Sequence, residues 1–232
     1  GLLYSQTNPA HPAQDVAFTI SNLTIPAKKN IDIPTANPFK CYLYPPAFDK
    51  EKLPIPFLLP PGGSNLMNIV SMMPKLKEEL RAIFNDYGLK YVFDTNSQEI
   101  KVMKEKKPGE IFLIPFHSIA DTLQRMIFYK AAIESNSKSA LVFEEPEAHS
   151  YPPFISKVTQ DIIQSDRNQF FITTHSPYVV NDFLELPSDE LAIYLVDFRN
   201  GETFVKRASD TEVQEMYEYG IDLFFNTETF LR

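Results

Sequence analysis

The chain has 232 residues, 44% of them hydrophobic, enough to fill the core of one large domain or two small ones. Acidic residues outnumber basic ones by 30 to 22, and the formal net charge of −8 excludes a dominant nucleic-acid surface, although not a local basic patch. Both signs of charge are well mixed with apolar residues, which excludes long-range disorder.

The single cysteine, Cys41, has no internal disulfide partner and suits a reducing, cytoplasmic setting. It is expected to be a small buried hydrophobe. No apolar stretch approaches the roughly 18 residues that span a bilayer, so no membrane segment is expected. The start, G-L-L-Y-S-Q-T-N, carries no charged leader and no initiator Met, so it is not read as a signal peptide. The expectation is a fragment of a longer protein, with Gly1 left from a tag.

Eleven of the 19 prolines fall in residues 1–61, so residues 1–64 read as an irregular region of short strands, Val16–Leu23 and Phe39–Leu43, broken by turns. From Asn65, a stripe of Leu66, Ile69, Val70 and Met73, then Leu76, Leu80, Ile83 and Phe84, predicts helix. Pro74 inside it predicts a kink or a new helix, and Gly88 a stop. Lys90–Asp94 and Glu99–Met103 read as a hairpin across T-N-S-Q, and Lys104–Gly109 as the link to the apolar segment Ile111–Phe116. Residues 65–110 form one predicted unit and residues 111–232 another. In the latter, Ile119, Leu123, Met126 and Ile127 predict a helix, and Ala140–Phe143 a buried strand. Pro152-Pro153 opens a second helix striped with Phe154, Ile155, Val158 and Ile162. Phe170–Thr173 is a second buried strand, and Ser176-Pro177 the N-cap and first residue of the next helix. Leu191–Phe198 and Thr203–Arg207 flank Asn200-Gly201, a hairpin signal. Strand and helix alternating over short links predict an α/β fold, a largely parallel sheet covered by helices, with added β-hairpins.

In open α/β sheets, ligands sit beyond the carboxyl ends of the strands. Glu144-Glu145 follows the first buried strand and Thr174-His175-Ser176 the second, 30 residues later, about one strand–helix–strand unit. Two adjacent carboxylates repel unless a cation intervenes, and Mg²⁺, which takes one or two carboxylates with water and phosphate oxygens, is the natural one. Each residue alone has an ordinary structural explanation, a solvated loop for the glutamates and a satisfied core histidine for His175. At matching strand ends, they point to a site.

L-V-F-E-E-P-E-A-H followed by F-I-T-T-H-S-P-Y resembles the second half of an ABC-class ATPase, and is most similar to prokaryotic AAA-family ATP-binding proteins related to the SMC and OLD (overcoming lysogenization defect) groups. The resemblance covers roughly Ile111 to Leu184. It implies that the first stretch is a Walker B element and His175 a switch histidine that senses the γ-phosphate. Glu144 would then associate with Mg²⁺, Glu145 would be the general base that activates water, and Glu147 would fall in the segment that contacts a partner protomer. Ser150 and Tyr151 stand where the family often has leucine and histidine. F-H-S-I-A-D-T-L-Q-R occupies the place of the ABC signature, so Ser118 would touch a γ-phosphate bound by the opposite subunit. Without a ligand, S-x-x-D there is a capping box for the following helix, and the usual small-residue pattern of the signature is missing. Arg125 and His117 are expected to be a helix-surface charge and a strand-end residue.

A phosphate cradle of the form G-x-x-x-x-G-K-[ST] is absent; Gly62-Gly63, the one close pair of glycines, is followed by no lysine until Lys75. Two readings follow. In one, the chain is the C-terminal part of an ATP-binding, ATP-hydrolysing enzyme that works as a nucleotide-gated homodimer, inactive here for want of its P-loop lobe. In the other, it is a non-catalytic protein-interaction module that kept the fold; a nucleic-acid or protein partner is open in both. After His175 too few residues remain for an added nuclease domain, and Asp197 and Asp210 are expected to be turn residues.

Overall fold

The computed structural model describes residues 2–6, 38–46, 55–97, 99–187 and 189–220, with 224 and 226. The predicted strand Val16–Leu23 lies outside them. In chain order the elements are β1 (Leu2–Gln6), β2 (Phe39–Tyr42), α1 (Leu66–Met72), α2 (Pro74–Asp86), β3 (Lys90–Asp94), β4 (Glu99–Lys107), β5 (Glu110–Pro115), a 3-10 turn (Phe116–Ser118), α3 (Asp121–Ser135), β6 (Ala140–Glu144), α4 (Pro152–Ile163), β7 (Gln169–Thr174), α5 (Pro177–Leu184), β8 (Leu191–Arg199), β9 (Glu202–Arg207) and α6 (Asp210–Tyr219).

The fold is α/β. Its six-stranded sheet has the order β2-β6-β7-β1-β8-β9. β2, β6 and β7 are parallel, with Ala140 opposite Gln169 and Glu144 opposite Thr173. Beyond β7 the sheet turns antiparallel: β1 runs against both β7 and β8, and β9 against β8. The parallel part is forced by α4, because a strand that returns in the same direction needs a crossover of helical length. A separate three-stranded sheet, β3-β4-β5, is an antiparallel meander. There the residues expected to be a link, Lys104–Lys107, continue β4 instead, and the turn falls at Pro108-Gly109, where Gly109 has φ +83. Alternating charge suits a strand whose outer part faces water on both sides.

Pro74 starts a new helix rather than kinking one, as its missing N–H permits at the first helical position. Asn200 and Gly201, both at positive φ, close the β8–β9 hairpin. α6 was not foreseen. Ser209 and Glu212 form its capping box and Gly220, in the left-handed region, ends it. Asp210 is therefore the first residue of a helix and Asp197 lies within β8, paired with Arg199; neither is a turn residue.

One core runs through α1 and α2, the inner face of the meander (Ile100, Val102), α3, β6 and β7, and on to β8. Its centre is aromatic. Phe143 of β6 touches the rings of Tyr42, Tyr129 and Phe170. Gly63 serves this packing. Gly63 sits at φ +66 with its N–H donating to the Leu59 carbonyl at 2.8 Å, and a Cβ there would lie 2.8 Å from Phe128. Cys41, expected inside, is exposed on β2, the outer strand of the large sheet. Partial withdrawal from water, and then the charge of Glu144, hold its thiol pKa above the usual value. Among the described residues no helix is long and apolar enough to cross a membrane.

Candidate functional site

β6 and β7 are neighbours in the same direction, so their carboxyl ends open on one edge of the sheet. β6 stops because Pro146 has no N–H to offer the ladder, and the residue before it is bent out of strand geometry. Glu145 has φ +41, a region that costs a non-glycine residue about 1–3 kcal/mol. The bend breaks the strand's alternation. The Glu145 N–H still reaches across to β7, donating to the Thr173 carbonyl at 2.9 Å.

This places the Glu145 carboxylate against His175, with Oε1 3.1 Å from Nε2. Both side chains face water, at 46% and 63% exposure, so neither is a packed core group. The reading of His175 as a satisfied core histidine is thus excluded, and the imidazole and carboxylate meet at the strand ends as expected. Glu144, the last residue of β6, is also exposed, and its backbone carbonyl accepts from the Tyr129 hydroxyl at 3.5 Å. Its carboxylate has no lysine or arginine partner among the described residues, and no group of three or more His, Cys, Asp or Glu there could hold a metal. A lone exposed carboxylate fits a hard cation that takes its remaining ligands from water and phosphate, and does not fit an all-protein cage.

The turn after β6 is tied down on several sides. The Ala148 N–H donates to the Glu145 carbonyl at 2.9 Å and the Ser150 N–H to the Glu147 carbonyl at 2.8 Å. Thr122 of α3 donates through its hydroxyl to the His149 carbonyl (3.1 Å) and accepts from the Tyr151 N–H (3.2 Å). Glu147 is turned into its own chain. Its Oε1 accepts from the Thr174 hydroxyl at 2.7 Å and from the His175 N–H at 2.8 Å. Sequence reasoning missed this role. The available signal was Thr174, a polar residue at the buried end of β7 whose hydroxyl needs a partner.

Two local expectations are corrected. Ser118 does not cap α3: it lies exposed in the 3-10 turn, the N-cap is Ala120, and Asp121 pairs instead with Arg125 at 2.8 Å. Inserting the 3-10 turn shifts the helix start by two residues, out of reach of the box. Among the described residues, no hydrogen bond or ion pair joins Ser118 to Glu144, Glu145 or His175. Arg125, expected on the helix surface, is 14% exposed and lies over the Tyr44 ring at 4.3 Å. Ser176 is the N-cap of α5 as expected but makes no side-chain cap; its N–H donates to the Thr174 hydroxyl at 3.0 Å. His117 does follow a strand end, in the turn after β5.

The chain is similar to known proteins over its middle part. A family model described as "AAA domain, putative AbiEii toxin, Type IV TA system" matches residues 67–181, which include both motifs. No curated protein matches the chain. Among solved structures, the chain is similar to one from work on ATP-driven dimerization and DNA-stimulated activation of SMC ATPases, at 14% identity and a TM-score of 0.44, over 66% of this chain and 96% of that one.

Proposed function

We propose, from the match of residues 67–181 to the AAA domain family model and from the geometry of the strand ends, that the chain is the Walker B and switch-histidine part of an enzyme that binds ATP with Mg²⁺ and hydrolyses it. One observation carries the reading: the 3.1 Å approach of the Glu145 carboxylate to the His175 imidazole at the ends of adjacent parallel strands.

With Oε1 engaged by the imidazole, Oε2 of Glu145 is left to accept a hydrogen bond from water. It orients that water and takes its proton as the oxygen bonds to the γ-phosphorus. The bond from that phosphorus to the oxygen shared with ADP breaks, leaving ADP and phosphate. His175, exposed beside it, donates to a γ-phosphate oxygen and so couples the presence of that phosphate to the geometry of Glu145. Glu144 holds Mg²⁺, which when bound offsets the charge of the phosphate oxygens. Ser118 contacts the γ-phosphate carried by a second copy, so that nucleotide between two heads gates a homodimer. The phosphate cradle, absent from this sequence, comes from a lobe outside these 232 residues. The setting is the cytoplasm, and the nucleic-acid or protein partner that uses the clamp is open.

Glu145→Gln in the protein that carries the cradle is expected to lower turnover by roughly 10²–10⁴-fold with nucleotide binding retained. Unchanged turnover would remove Glu145 as the base. Calorimetry on these 232 residues alone should detect weak ATP–Mg²⁺ binding or none, and micromolar affinity would overturn the missing-lobe assignment. The second reading, a non-catalytic interaction module, is favoured by Gly63 serving the core instead of a phosphate; a cradle-bearing protein with no hydrolysis at all would support it.

A further inference from the structure

We propose that Glu147 is the positioning residue of this site, clamping the end of β7 so that the His175 imidazole lies against Glu145. Its importance for turnover rests on the reading above; the clamp itself does not. The His175 side chain is 63% exposed, so packing cannot hold it and its place is set by its backbone. That backbone lies just past the sheet, because β7 pairs with β6 only as far as Thr173 and with β1 only as far as Thr174. The bond to the His175 N–H itself comes from Glu147, whose Oε1 accepts it at 2.8 Å and accepts from the adjacent Thr174 hydroxyl at 2.7 Å. Both are charge-assisted bonds, the stronger class.

Glu147 lies two residues beyond Glu145 in the same turn, so one carboxylate joins the loop that carries the base to the residue that carries the imidazole. Its other oxygen, Oε2, is buried and has no hydrogen-bond partner among the described residues. A surface glutamate would turn that oxygen to water. Here the desolvation is tolerated, and the inward pair of bonds is what offsets it. The resemblance places this residue in a segment facing a partner protomer, whereas its carboxylate is committed within its own chain.

Nuclear magnetic resonance on the ¹⁵N-labelled 232-residue chain tests the clamp without measuring turnover. Glu145→Gln should move the His175 ring-nitrogen signals in the otherwise unchanged chain. In a Glu147→Ala background the same substitution should move them by less than about a third as much, and the His175 amide should exchange roughly tenfold faster. Glu147→Gln, which keeps an acceptor oxygen in place, should preserve the response. A full response to Glu145→Gln in the Glu147→Ala background would overturn the proposal, as would its loss in Glu147→Gln. If Glu147→Ala does not fold, Glu147→Gln and Thr174→Val decide: the first must keep the response and the second weaken it, and the reverse result sinks the clamp. Unchanged hydrolysis in Glu145→Gln would remove the proposed function and leave this result standing.

Discussion

The parallel strands β6 and β7 and the antiparallel meander β3-β4-β5 share one core but divide their surfaces in opposite ways. In β6, Leu141 and Phe143 are fully buried and the first strongly exposed side chain is Glu144, at the strand's end. In the meander, Ile100 and Val102 are buried, while Ile111, Phe112 and Leu113 of β5 stand 58%, 52% and 49% exposed. Strands enclosed along their length present polar groups to solvent only where they stop, so they concentrate chemistry at one edge. A ribbon that projects past the core spreads its exposed side chains along its length and concentrates nothing.

Four changes would break or sharpen this contrast. Phe143→Ala empties the ring cluster under the site and should cost about 3–5 kcal/mol in chemical denaturation; a cost below 1 would mean that the parallel unit is not the enclosed one. Lys130 of α3 is 5% exposed and pairs with Glu79 of α2, on the meander's side, and with Asp161 of α4, the crossover between β6 and β7. Burial is the main cause that raises the Asp161 pKa, so removing the cation leaves an uncompensated carboxylate. Lys130→Ala should cost about 3 kcal/mol, and an unchanged denaturation midpoint would show the two regions to be independent of this bridge.

The third change is acid. The Lys101 ammonium, 2.6 Å from Asp94, and then the hydrogen bonds to Ser97 and Asn96, hold the Asp94 pKa well below its ordinary value. A depressed carboxylate pKa stabilises the fold above the unfolded pKa of about 4 and loses that contribution as pH falls through the folded value. The protection of the Asn96 and Ser97 amides, measured as exchange relative to the unstructured chain at the same pH, should therefore be lost in acid before protection in β6 and β7 is; simultaneous loss would make the meander and the parallel unit one acid-sensitive body. The smallest effect is expected for Phe112→Ser on the projecting strand, within about 0.5 kcal/mol by the same denaturation measurement.

The strand–helix–strand unit was legible to within about a residue at each end, because strands enclosed by the core carry unbroken apolar runs and prolines mark where α4 and α5 begin. The approach of Glu145 to His175 could be anticipated from matching strand ends and from the resemblance of the two motifs. The inward turn of Glu147 could not, since it depends on a positive φ two residues earlier that no periodicity encodes. The outer half of β4 read as a link because K-E-K-K has no apolar face to betray a strand. Ser118 misled for a different reason: the S-x-x-D spacing is there, but a 3-10 turn uses up the serine before the helix starts. Cys41 misled because an apolar neighbourhood in sequence does not reveal that its strand lies at the rim of the sheet.

The antiparallel entry of β1 has a practical consequence. Leu2 is in register with Thr174, which puts the first residues of the strand next to the position just before His175. Whatever is fused ahead of residue 1, including an affinity handle used for purification, emerges at the rim where nucleotide is proposed to dock, and binding measured with such a handle attached would report on the handle as well as on the protein.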